Sequence, residues 1–170
     1  LDIMLSLCVI SATMGALLLV TRYISKRRKW ILIFMEMTAA LLLGFDRAAY
    51  VYKGDTSQMG YVMVRLSNFM VFFLTSAVVL IFDLYLMDLL LNEGKLKKVP
   101  KRLMIVAVGA SVGMVMVVIS HFTGLYYYFD EENVYHRGRG FLLCYIVPVV
   151  FPLIQYTVIR HYRRLFSRLI

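Results

Sequence analysis

The sequence predicts an all-α fold, a polytopic transmembrane helix bundle of five spans. Three observations predict it. Hydrophobic residues make up 61% of the chain and the mean hydropathy is +0.76, whereas soluble domains run nearer half apolar. Several uninterrupted apolar runs reach about 20 residues, enough to cross a hydrocarbon core of about 30 Å. Most basic residues gather at the ends of those runs. A transmembrane barrel would show short alternating segments instead.

The first span covers about residues 3–23, with Ser11, Ala12, Gly15 and Ala16 small enough for close helix packing. Neither a preceding basic stretch nor a following cleavage-type site marks it as a signal peptide. The block Lys26-Arg27-Arg28-Lys29 ends it, and a second span runs over about 30–52 from the interfacial Trp30. Lys53 to Gln58 reads as a short turn. The third span, about 60–91, is longer than a bilayer requires and must tilt or protrude. The basic linker Lys97 to Arg102 precedes a fourth span over about 103–126, where Gly109 and Gly113 flatten one face. A fifth covers about 141–162 and contains Pro148 and Pro152, which should kink it. The chain begins at Leu1 and ends inside the basic run HYRRLFSRLI; we expect a piece of a longer protein that continues beyond Ile170.

Charge sets the orientation. Fourteen of the 19 basic residues flank the inner ends after spans one, three and five: Arg22 to Lys29, Lys95 to Arg102, and Arg160 to Arg168. The other side carries Lys53, Arg137 and Arg139. The Lys/Arg excess marks the cytoplasmic side, so the N-terminus is expected outside and the C-terminus in the cytoplasm. The net charge of +9 follows from this placement, and no nucleic-acid motif accompanies it. The expected surroundings are a lipid bilayer, not nucleic acid.

Charged groups inside spans need a partner or a purpose. Asp46 and Arg65 should reach similar depth across the second turn, which predicts an ion pair between them. Arg47 is then left to face an anion or the acids Asp130, Glu131 and Glu132. Arg65, Asn68, Thr75, Ser76 and Asp83 draw a polar stripe along span three, which places that span centrally. Glu36 and Asp83 lie deeper, within snorkelling reach of Arg22, Lys29 or Arg102.

The stretch Thr123–Gly140, TGLYYYFDEENVYHRGRG, is the long polar interruption on the outer side. Its Tyr127, Tyr128 and Tyr135 suit an interfacial aromatic belt. Interleaved with Glu131, His136 and Arg137, they also suit one wall of a small-ligand site. With Arg47, Arg65, Asn68 and His121 at the same level, these residues form the expected ligand-binding set. His121 and His136 are candidate pH-sensitive groups. His136 with Glu131 or Cys144 matches no metal spacing, and Cys8 and Cys144 form no CxxC pair. No HExxH, GxSxG, P-loop or GxGxxG motif is present, so neither enzymatic activity nor a cofactor is expected.

The segment LYYYFDEENVYHRGRGFLLCYIVP, preceded by KRLMIVAVGASVGMVMVVISHFTG and followed by a basic helix, resembles the N-terminal multi-helix membrane sensor regions of bacterial signalling proteins. It is similar to the seven-helix region of sensor histidine kinases and diguanylate cyclases. The resemblance implies an input module of the cytoplasmic membrane that detects an outer or membrane signal. It also implies a cytoplasmic output domain on the same chain. A homodimer is a separate candidate arrangement. Seven or eight spans are usual there against five here, which implies further helices after Ile170. The alternative is a transporter or channel component, marked by an open path from Arg65 past Thr75 to Asp83.

Overall fold

The computed structural model describes residues 2–166. Five long segments follow one another back and forth: α1 (Asp2–Val20), α2 (Lys26–Val51), α3 (Gln58–Asp88), α4 (Lys101–Thr123), and a fifth that ends in α5 (Phe151–His161). A short α6 (Arg163–Phe166) follows. Arg168, one of the basic residues counted for orientation, lies outside the described residues. Between α4 and the fifth segment the chain forms an antiparallel hairpin, β1 (Tyr127–Phe129) and β2 (Tyr135–Arg137). The fold is therefore helical save for this hairpin, where a loop was expected.

Among the described residues, four segments have the length and apolarity to cross a membrane: Asp2–Val20, Gln58–Glu93, Lys101–Thr123 and Phe141–His161. α2 has the length, with 26 residues, but Glu36, Asp46 and Arg47 interrupt its apolar run.

α1 packs on α2, α2 on α3, and α3 on both α4 and the fifth segment. The central position expected for span three is observed. The small residues of α1 face α2: Ser11 and Gly15 are its buried positions. Ser11 Oγ donates to Glu36 Oε2 at 2.6 Å. The rest of α1 exposes Ile3, Val9, Leu17 and Val20, an apolar surface matched to lipid. Lys29 donates to the carbonyls of Leu19 and Thr21, so it closes the C-terminal end of α1, where a cation is favoured.

The inner acids therefore find partners other than the arginine or lysine expected. Glu36 is held by Ser11. Asp83, fully buried, accepts from Gln155 Nε2 at 3.2 Å, while Arg102 turns to Thr157. Depth alone put these cations near the acids, but the helix faces point them elsewhere. The buried acid that does meet arginines is Asp88, 3.0 Å from Arg27 Nε and 4.0 Å from Arg28 Nε. Beyond it, α3 continues as a wider turn over Leu89–Glu93, and Arg28 pairs with Glu93 at 2.5 Å.

The two glycines of α4 do what small residues do. A methyl group at Gly109 would run into the Phe151 ring, and one at Gly113 would sit 2.6 Å from Val147 Cγ2. α4 and the fifth segment thus approach at near-backbone distance. α4 ends at Gly124, whose φ of +68° suits a glycine.

The fifth segment is not one α-helix. It winds as a tight 3₁₀ stretch over Phe141–Tyr145, a wide π turn over Ile146–Val150, and only then as α5. Pro148 and Pro152 lack amide protons, and each ring crowds the carbonyl four residues earlier. The expected kink appears as this change of winding.

Candidate functional site

A cavity of about 900 Å³ lies at the hairpin end of the bundle. One wall is a single face of α2, with Asp46, Ala49 and Tyr50 spaced by three and one residues, continued by Lys53 in the turn that follows. The floor is the stripe of α3 through Asn68, Thr75 and Ser76, joined by Val64, Val71 and Phe72. Gly113 and Val117 of α4 and Tyr126 extend it. β2 supplies Tyr135, His136 and Arg137, and the irregular part of the fifth segment closes the far side with Phe141, Cys144, Tyr145, Val147 and Pro148.

The polar groups of α3 are turned inward on their own helix. Asn68, Thr75 and Ser76 donate to the carbonyls of Val64, Val71 and Phe72, four residues back. Their oxygens remain free to accept. Asp46 and Lys53, by contrast, make no ion pair or hydrogen bond through their side chains among the described residues. Arg137 rests its guanidinium 4.7 Å from the Phe141 ring centre and forms no ion pair. Acid and cations thus line one cavity without meeting.

The hairpin is anchored by alternation. Tyr127 is buried, stacked on Phe72 at 5.2 Å and on Tyr135 at 5.7 Å. Tyr128, the next residue, points out and stacks on His136 at 5.4 Å. Burial pushes the Tyr135 phenol up to about 12, with the neighbouring Cys144 adding to it. The Tyr127 phenol is raised further, also mainly by burial. His136 Nε2 lies 2.6 Å from Asp130 Oδ2. That hydrogen bond, aided by the Val134 amide, holds the Asp130 carboxyl below its ordinary range.

Of the expected ligand-binding residues, Asn68, Tyr135, His136 and Arg137 line the cavity; Arg47, Arg65, His121, Tyr127, Tyr128 and Glu131 do not. The expected Asp46–Arg65 ion pair does not form. Arg65 stacks over Tyr61, 3.4 Å from its ring centre, and donates to Asn133 Oδ1. The hairpin turn folds back and occupies the arginine, leaving Asp46 in the cavity. Arg47 meets neither Asp130, Glu131 nor Glu132 in an ion pair, and its Nε is buried without a hydrogen-bond partner. His121 packs edge-on to Phe69 and Phe122. Glu131 is exposed at the hairpin tip. Lys53, Cys144 and Tyr145 line the cavity from outside the expected set. For Lys53 the sequence signal is a cation on the outer turn, seven residues after Asp46.

Among the described residues, no three His, Cys, Asp or Glu side chains converge as metal ligands. No family model matches the chain, and no curated protein or solved structure matches it.

Proposed function

We propose that this chain is a membrane-embedded input module in which a small ligand enters the hairpin-end cavity and shifts the fifth segment against α3. The observation that carries this reading is the cavity's far wall. Irregular backbone at membrane depth is tolerated where it is buried in protein or lines a cavity, and here the 3₁₀ and π turns line it. π turns recur at functional sites. A ligand there touches the part of the fifth segment least locked by regular hydrogen bonding. The same segment runs on through α5 to the basic end at Arg160.

In this reading α2 joins the four apolar segments as a fifth span, since it packs between α1 and α3. The basic ends lie in the cytoplasm and the hairpin outside. The setting is a bacterial cytoplasmic membrane, and a cytoplasmic output receives the movement. A transport role fits less well. Past Ser76 the way is filled by the core of Val79, Val106, Ala110, Val147 and Phe151.

The test uses the native thiol in the cavity wall. With Cys8→Ala, ketone-bearing residues at the exposed positions Leu84 and Tyr156 carry oxime spin labels, and the full chain is placed in nanodiscs. Benzylmaleimide on Cys144 then fills the cavity. The distance distribution between the labels is expected to shift. An unchanged distribution in fully modified protein contradicts the input reading.

A further inference from the structure

We infer that the cavity takes a short zwitterionic peptide with apolar side chains, bound with its ammonium group at Asp46 and its carboxylate at Lys53 and Arg137. The inference rests on the input reading above and names the class of its ligand.

The argument starts from unpaired charge. Asp46 lines the cavity with no hydrogen bond or ion pair to any described residue, although its helix packs on both sides. A carboxylate at membrane depth without a partner is costly, so a cationic group that fits beside it is favoured. Lys53 and Arg137 line the same cavity, also without ion pairs. An anion alone would leave Asp46 unsatisfied and would be repelled by it. Lys53 and Arg137 are exposed to water, so a cation alone would satisfy Asp46 but would gain nothing from them. A ligand with one charge of each sign satisfies all three.

The separation of the charges sets the length. Asp46 lies on α2 and Lys53 in the outer turn, two residues past the end of that helix; five residues of helical rise plus the turn separate them by about 10 Å. An extended chain spans at most about 3.3–3.6 Å per residue, so a peptide of about three residues bridges them, ammonium inward. A free amino acid is too short to reach both ends. The lining also includes the apolar and aromatic Val71, Phe72 and Val147, which suit aliphatic side chains. Asn68, Thr75 and Ser76, with their oxygens free to accept, suit the peptide amides. A volume of about 900 Å³ is ample for such a ligand.

The test measures binding of four probes to the full chain in nanodiscs by calorimetry: trileucine, N-acetyl-trileucine, trileucine amide and leucine. Trileucine is expected to bind, with each blocked form about tenfold weaker or more, as expected for one lost charge-assisted contact. Asp46→Asn should weaken trileucine and abolish its advantage over the N-acetyl form, leaving its advantage over the amide. Lys53→Gln with Arg137→Gln should do the converse. Asp46 and Lys53 have no side-chain partners to lose, and restoration by Asp46→Glu guards against a folding defect. Blocked and free peptides binding alike, leucine matching trileucine, or no peptide binding at all would overturn the assignment. The spin-label distance separates the two ideas. Charge-selective binding with an unmoved fifth segment upholds the ligand and sinks the input reading. Movement on Cys144 modification without charge selectivity does the reverse.

Discussion

Arg65 on α3 donates to the side chain of Asn133, 68 residues away at the hairpin turn, and Asn133 Nδ2 in turn donates to the carbonyl of Asp55 at 2.9 Å. One buried asparagine, 2% exposed, therefore ties the hairpin to both α3 and the turn before it. It does so from a left-handed backbone, φ +60°, which asparagine tolerates better than most residues. Asn133→Gly keeps that backbone and deletes the tie. The hairpin should loosen by about 1–3 kcal/mol, read as faster hydrogen exchange at the Gly138 amide, which donates to Tyr126 O at 2.8 Å. Asn133→Ala adds backbone strain and should exchange faster still. Unchanged protection in both would show that the tie holds nothing.

The contact between α4 and the fifth segment should be equally sensitive to size. Gly109→Ala pushes a methyl group into the Phe151 ring, and overpacking of this kind costs about 1–3 kcal/mol. Phe151→Leu should recover part of the loss. Unfolding midpoints in detergent for the single and double variants check this, with simple additivity counting against direct contact.

At the basic end, Asp88 is 4% exposed and accepts from Asn92 Nδ2 at 2.7 Å as well as from Arg27. Asp88→Asn removes the charge and keeps the shape. It should cost about 2 kcal/mol, typical of a hydrogen bond to a charged group. Asp2→Asn, at the start of α1, should cost nothing measurable by the same unfolding assay.

The hairpin carries a pH dependence with a defined sign. Asp130 has its carboxyl pKa held below the ordinary 3.8, first by the His136 hydrogen bond. A depressed folded-state pKa gives stability that is present above the ordinary value and lost as pH falls through the folded one. The protection factor of the Val134 amide, which donates to Asp130 at 2.8 Å, should hold from neutrality to about pH 4 and fall below it. In Asp130→Asn that acid step should be absent.

Much of this architecture is legible in the sequence because it follows from spacing. Gly109 and Gly113, four apart, announce a close helix contact. Asn68, Thr75 and Ser76 announce the inward face of a central helix. The prolines at 148 and 152 announce a break. The site is less legible because depth does not fix direction. Depth matches Asp46 to Arg65, and the hairpin's return over Arg65 is not encoded near either. Three consecutive tyrosines read as one wall, yet in a strand neighbours face opposite ways, so Tyr127 is buried and Tyr128 exposed. The Asp83–Gln155 contact joins residues 72 apart, and no local pattern signals it.

Cys144 and Cys8 give the most direct measurement of whether the hairpin-end cavity is the binding site. Cys144 lines the cavity, and Cys8 lies on α1, donating to Ala40 O at 3.2 Å. The alkylation rate of each by N-ethylmaleimide is followed in the unmodified full chain, with and without saturating trileucine. The account predicts that Cys144 is slowed severalfold while Cys8 is unaffected. Equal rates at Cys144 with and without the peptide, or equal slowing of both cysteines, would contradict it.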